Sequence, residues 1–161
     1  TDIIIQFFVN DTEIIQDSNV NFFTKHTHIG VVVWKLINSY KSSFKSEKLD
    51  KYYEKKYSED YEGFSRTKIE LKRLKKHCIE NNISCNLVLI PDIHQLNPYK
   101  LSFINEKIEK FSKKNEIPYL DLLEKFSEID EKVIWNKYQD PHPNSYGHRI
   151  IAEEIYNFLT K

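Results

Sequence analysis

Ile3-Ile4-Ile5-Gln6-Phe7-Phe8-Val9-Asn10-Asp11 opens the chain as an apolar run closed by two turn-forming residues. Aliphatic and aromatic side chains at both alternating positions suit a strand covered on both faces, the kind found in parallel sheets. A second such run is Cys85-Asn86-Leu87-Val88-Leu89-Ile90, closed by Pro91. A third, shorter one is Pro118-Tyr119-Leu120-Asp121-Leu122. Between them the apolar spacing turns helical. Ile69, Leu71, Leu74, Cys78 and Ile79 line one side of a helix from about Phe64 to Asn81, and Phe103, Ile104, Ile108 and Phe111 mark another. Ile151, Ala152, Ile155, Phe158 and Leu159 mark the last helix, with Asn144 or Ser145 as its N-cap. Strands alternating with helices define an α/β chain in which helices pack on a parallel sheet.

The 161 residues make one domain. Three strands are few for such a sheet, whose faces and edges need covering. The chain also contains no Met and begins at Thr1-Asp2, directly before a strand. Both features are read as a missing N-terminal part, with an upstream segment or a partner chain completing the sheet. Residues 12–63 form a helical and irregular excursion. Within it, residues 27–40 read as a helix with Ile29, Val33, Leu36 and Ile37 on its apolar face. The charged stretch that follows carries Tyr40, Tyr52, Tyr53, Tyr57 and Tyr61, read either as half-buried packing or as an aromatic wall for a sugar or acyl group.

Composition narrows the chemistry. Apolar residues at 40% and charged residues at 30% suit a folded globular chain. Twenty-four basic and twenty-four acidic side chains cancel, which leaves no electrostatic footprint for nucleic acid. No run approaches the ~20 apolar residues of a membrane-spanning helix. Cys78 falls on a helix stripe and Cys85 opens a strand, so both are expected as buried free thiols.

The candidate chemistry lies at the two ends of the chain. Asp140-Pro141-His142-Pro143-Asn144 sets an acid and an imidazole on a proline-stiffened loop just before the last helix. An imidazole becomes a general base when one ring nitrogen faces a nucleophile and the other donates to a carboxylate. On its own, the string also reads as a loop with a helix cap. Asn10 follows a strand directly, where its amide is able to donate to an oxyanion; the pair Asn10-Asp11 equally suits a simple turn. His94, in Pro91-Asp92-Ile93-His94, leaves the second strand at the edge where α/β folds open their ligand crevices. His26 and His28 lack a clustered third ligand, so no metal centre is read. His77 reads as a helix-surface residue and His148 as one that packs or hydrogen-bonds locally.

Asn10-Asp11 after a strand and Asp140–His148 before the last helix together resemble the third and fifth sequence blocks of the SGNH/GDSL hydrolase superfamily. Gly63-Phe64 opening a helix, and Leu87–Pro91 followed by Tyr99, are similar to the middle of the same family. The resemblance spans the chain and implies a three-layer α/β/α, flavodoxin-like fold and a serine esterase that needs no metal or other cofactor. Carried over, His142 is the general base, Asp140 its orienting acid and Asn10 the oxyanion donor; Asp11 and His94, beside the strand ends, are read as substrate-binding residues. Many members hold the acid three residues before the His, a position occupied here by Gln139. The nucleophilic Ser and the Gly donor belong to blocks that precede Asn10 and are not found in this chain. Gln16-Asp17-Ser18-Asn19 imitates the nucleophile motif, but Gln replaces the Gly and no strand fits before it, so Ser18 reads as a turn residue or N-cap. The expected substrate is a small ester or an acylated carbohydrate or lipid. A non-catalytic binding domain on the same fold is the alternative.

Overall fold

A computed structural model of the chain describes residues 1–14, 49–137 and 140–160, with the side chains of residues 140 and 141 excepted. The helix expected over 27–40, Ser18, His26, His28, Tyr40 and Gln139 lie outside the described residues. Three strands, β1 (Asp2–Phe8), β2 (Ser84–Ile90) and β3 (Tyr119–Asp121), form a parallel sheet in the order β1-β2-β3. Helices α1 (Leu49–Lys56) and α2 (Glu62–Glu80) fall between β1 and β2, and α3 (Ser102–Lys114) between β2 and β3. After β3 come α4 (Leu123–Ser127), α5 (Glu131–Ile134), a small antiparallel pair of β4 (Trp135–Lys137) and β5 (Asp140–Pro143), and α6 (Ser145–Leu159).

The centre of the sheet is dry on both sides. Leu87, Val88 and Leu89 all have 0% exposure although successive strand residues face opposite ways, so both faces of β2 are covered. Leu87 and Leu89 pack with Phe7, with Phe64 and Leu71 of α2, and with Ile104 and Ile108 of α3. Val88 packs on the other face with Phe126 of α4, Ile134 of α5, and Ile150 and Ile151 of α6. The chain is therefore α/β, with helices against both faces of a parallel sheet.

Both β1 and β2 are expected to be covered on both faces; β2 is, whereas β1 is covered on one face only among the described residues. Phe7 is buried and Ile5 packs against the core, but Ile4 is 38% exposed and Gln6 is exposed beside it. Among the described residues β1 pairs on one edge only, with β2, and α4, α5 and α6 cover Val88 rather than β1. Cys78 and Cys85 are buried free thiols, and burial, with a hydrogen bond from the Cys85 thiol to Cys78, pushes the Cys85 thiol up to about 11. At neutral pH it stays protonated and is a poor nucleophile.

Inside the excursion, α1 turns its tyrosines inward. Tyr53 and Tyr57 are buried, Tyr57 stacks obliquely on Phe64, and its hydroxyl donates to the Val9 carbonyl at 3.0 Å. That bond fixes the backbone immediately before Asn10. The turn after β1 is also pressed against the start of α2, where a Cβ on Gly63 would lie 2.0 Å from the Thr12 carbonyl oxygen. Backbone cannot yield as a flexible side chain does. Gly63→Ala is expected to destabilise the fold by roughly 1–3 kcal/mol through overpacking. The check is a urea titration: a midpoint equal to that of the native protein would show that this approach is not tight.

Candidate active site

At the C-terminal ends of β1 and β2 lies a cavity of about 760 Å³, lined among others by Asn10, Asp11, His94, His142 and His148. Parallel pairing decides its position. Phe8 is in register with Ile90, so the chain leaves both strands at the same rim and Asn10 and Asp92 emerge side by side. This is the crevice that open parallel sheets present to ligands. Four of the residues singled out from the sequence, Asn10, Asp11, His94 and His142, line this cavity together.

Asn10 sits in a turn held by backbone bonds from Asp11 N to Phe8 O (3.0 Å) and from Glu13 N to Asn10 O (2.9 Å). The Asp11 carboxylate accepts the Phe8 amide at 2.7 Å, so one of its oxygens is spent on closing that turn. Asp11 lines the cavity, but its first task is local.

His142 lies in β5, where Trp135 pairs with Pro143 and Lys137 with Asp140. The segment expected as a loop is thus a short strand, because the prolines hold extended backbone that β4 is able to pair with. The ring of His142 is exposed toward the cavity. Asp140 opens β5, and its side chain lies outside the description.

What fixes β5 is Asn144. Its Oδ1 accepts from Tyr146 N (2.9 Å) and Gly147 N (3.1 Å), capping α6, while its Nδ2 donates to Val133 O (2.8 Å) and Trp135 O (3.1 Å). One side chain therefore ties the last helix to α5 and β4, with His142 two residues upstream. Gly147 permits the same closeness: a Cβ there would meet the Pro143 Cβ at 3.0 Å.

The sequence reading missed Asp92 and His148 as residues of the cavity, and of the tyrosines it offered as an aromatic wall only Tyr53 lines this cavity among the described residues. Asp92 is nearly buried, and its Oδ1 accepts both the His94 backbone N–H (2.9 Å) and the Nδ1–H of the His94 ring. Asp92-Ile93-His94 has the same spacing as Asp140-Pro141-His142, a repeat that was open to inspection. Tyr53 lines the cavity from α1, and burial, with Glu13 nearby, raises its phenol well above the usual range, so it is a neutral wall. His148, expected to pack locally, lines the cavity one turn into α6. No serine lines the cavity among the described residues, and no group of three His, Cys, Asp or Glu among them is arranged to hold a metal ion.

The chain matches no protein-family model, no curated protein and no solved structure in the three comparisons made. No helix among the described residues is long and apolar enough to cross a membrane.

Asn144→Ala removes a cap and two donated bonds, and is expected to cost roughly 1–3 kcal/mol. Asn144→Asp keeps the cap but cannot donate to Val133 and Trp135, so its loss should be intermediate. Chemical denaturation of the two variants checks this; equal losses would mean that the ties to α5 and β4 contribute nothing.

Proposed function

We propose that this chain carries the downstream part of an SGNH-type ester hydrolase site. The reading rests on one observation above the rest: Asn10 from the head of the sequence and His142 from near its tail line a single cavity at the C-terminal rim of a parallel sheet. An amide donor and an imidazole are two of the groups needed to cleave an ester.

In this proposal His142 takes the proton of a serine hydroxyl as that oxygen attacks the ester carbonyl. The negative charge that develops on the carbonyl oxygen is met by the Asn10 side-chain NH₂. The imidazolium then returns its proton to the departing alcohol, and water repeats the sequence to free the acid. Asp140 orients His142. The serine comes from the block that precedes Asn10 in the family's order, upstream of Thr1, and the fold is the three-layer SGNH arrangement. The substrate is a small ester or an acylated carbohydrate or lipid.

One observation favours a second reading, a non-catalytic binding domain: no serine is found among the described residues that line the cavity. The encoded sequence upstream of Thr1 separates the two. A strand followed by Gly-Asp-Ser supports the hydrolase, and its absence supports the binder.

In the full-length protein, His142→Ala is expected to lower kcat on p-nitrophenyl acetate by ~10³-fold or more. Asn10→Ala should lower kcat by ~10²–10³-fold with little change in KM, because it acts on the transition state. Full activity of His142→Ala, with the fold verified by circular dichroism, would remove the base from the scheme.

A further inference from the structure

We propose that His94, held by Asp92, recognises a free hydroxyl on the substrate, so that the cleft takes acylated polyols or sugars. The substrate class rests on the ester-hydrolase reading above.

The loop that carries His94 is fixed at successive residues. The Asp92 backbone N–H donates to the Tyr99 hydroxyl at 3.2 Å, and the Ile93 carbonyl accepts the Trp135 indole N–H at 2.6 Å. Ile93 and Leu96 are buried in the core, and the Leu96 amide donates to Glu131 Oε2 at 3.2 Å. Burial raises the Tyr99 phenol far above its ordinary range, so it stays a neutral partner. A merely solvated histidine needs none of this support.

The ring itself is aimed. The Asp92 side chain is 10% exposed and that of His94 is 59% exposed, so a nearly hidden carboxylate holds an accessible imidazole. The bond to Asp92 occupies Nδ1. In the neutral ring this fixes the proton on Nδ1 and leaves Nε2 a hydrogen-bond acceptor. An acceptor seeks a donor, and an ester of a simple alcohol has none to offer. A polyol or sugar ester does, in its remaining hydroxyls.

The surroundings agree with a hydroxylated alcohol group. His94 and Asp92 line the main cavity and also an adjoining recess of about 230 Å³. That recess is walled by Asp50, Gln95 and Lys100, side chains that donate or accept hydrogen bonds, and by the apolar surfaces of Leu49, Leu101 and the Tyr99 ring. A sugar or glycerol moiety lying past His94 is able to set its hydroxyls against Asp50, Gln95 and Lys100 and its carbons against Leu49, Leu101 and Tyr99.

The test compares glycerol monoacetate with propyl acetate, which lacks only the hydroxyls, in the full-length protein. The native ratio of kcat/KM should favour glycerol monoacetate by about tenfold or more. His94→Ala should bring that ratio close to one, and His94→Gln, whose amide oxygen still accepts, should give an intermediate ratio. A native ratio near one, or a ratio unmoved in His94→Ala, overturns the proposal while leaving ester hydrolysis intact. A second measurement follows the His94 Nε2 signal by ¹⁵N NMR during titration with glycerol and with its trimethyl ether, which has no hydroxyl to donate. Should neither ester be hydrolysed, the hydrolase reading falls. A shift with glycerol alone then still supports hydroxyl recognition, and no shift overturns that too.

Discussion

The parallel pairing of β1 with β2 is the constraint from which the rest of the site follows. With Phe8 opposite Ile90, both strands end at one level and their next residues turn outward together. An antiparallel partner would have sent the Asp92 loop to the far end of the sheet. A slip by one residue would have exchanged Leu87 and Leu89 with Val88, emptying both halves of the core at once. Burial of these three residues on opposite faces therefore locks the register, and the register brings the Asn10 turn beside the Asp92-Ile93-His94 turn.

Polar side chains then hold what the core has brought together. Tyr57 grips the Val9 carbonyl, Asn144 ties α6 to the backbone of Val133 and Trp135, and Trp135 holds the Ile93 carbonyl. Tyr57 thus holds the backbone one residue before Asn10, Trp135 holds the residue between Asp92 and His94, and Asn144 holds the chain two residues after His142. That is how a loop residue acquires the fixed position that binding and chemistry demand. The same logic explains why Asp11 is spent on the Phe8 amide: the turn that presents Asn10 needs an acceptor for that N–H.

The legible part of the sequence was the part governed by local periodicity. The runs at 3–9 and 85–90, the stripe from Leu71 to Cys78 and the Asn144 cap all appear where pattern and propensity agree. The degree of cover on β1 did not follow, because exposure of Ile4 depends on which helix lies over which strand, and no single strand encodes that. The β4–β5 pair was also hidden, since Asp140-Pro141-His142-Pro143 carries none of the residues that mark strands; its prolines favour extended backbone, but the pairing with β4 is a contact that its own residues do not encode. Tyr57 looked like any other member of a tyrosine-rich stretch. Its distinction is the Val9 carbonyl, a contact between two residues far apart in the chain.

The two Asp-x-His turns differ in what surrounds them, and the difference divides their proposed work. His142 lies in a strand braced by Asn144 two residues downstream, and it lines the same cavity as Asn10. His94 has its Nδ1 committed to a nearly buried carboxylate that also closes the turn through the His94 backbone N–H. A ring so anchored presents Nε2 in a fixed direction, which is what recognition of a substrate hydroxyl requires. In the proposed scheme, a base at His142 and a recognition group at His94 in one cavity give an ester two points of attachment, one at the carbonyl and one on the alcohol. Two such points fix the orientation of the scissile bond, and orientation is where much of the rate of an acyl transfer originates.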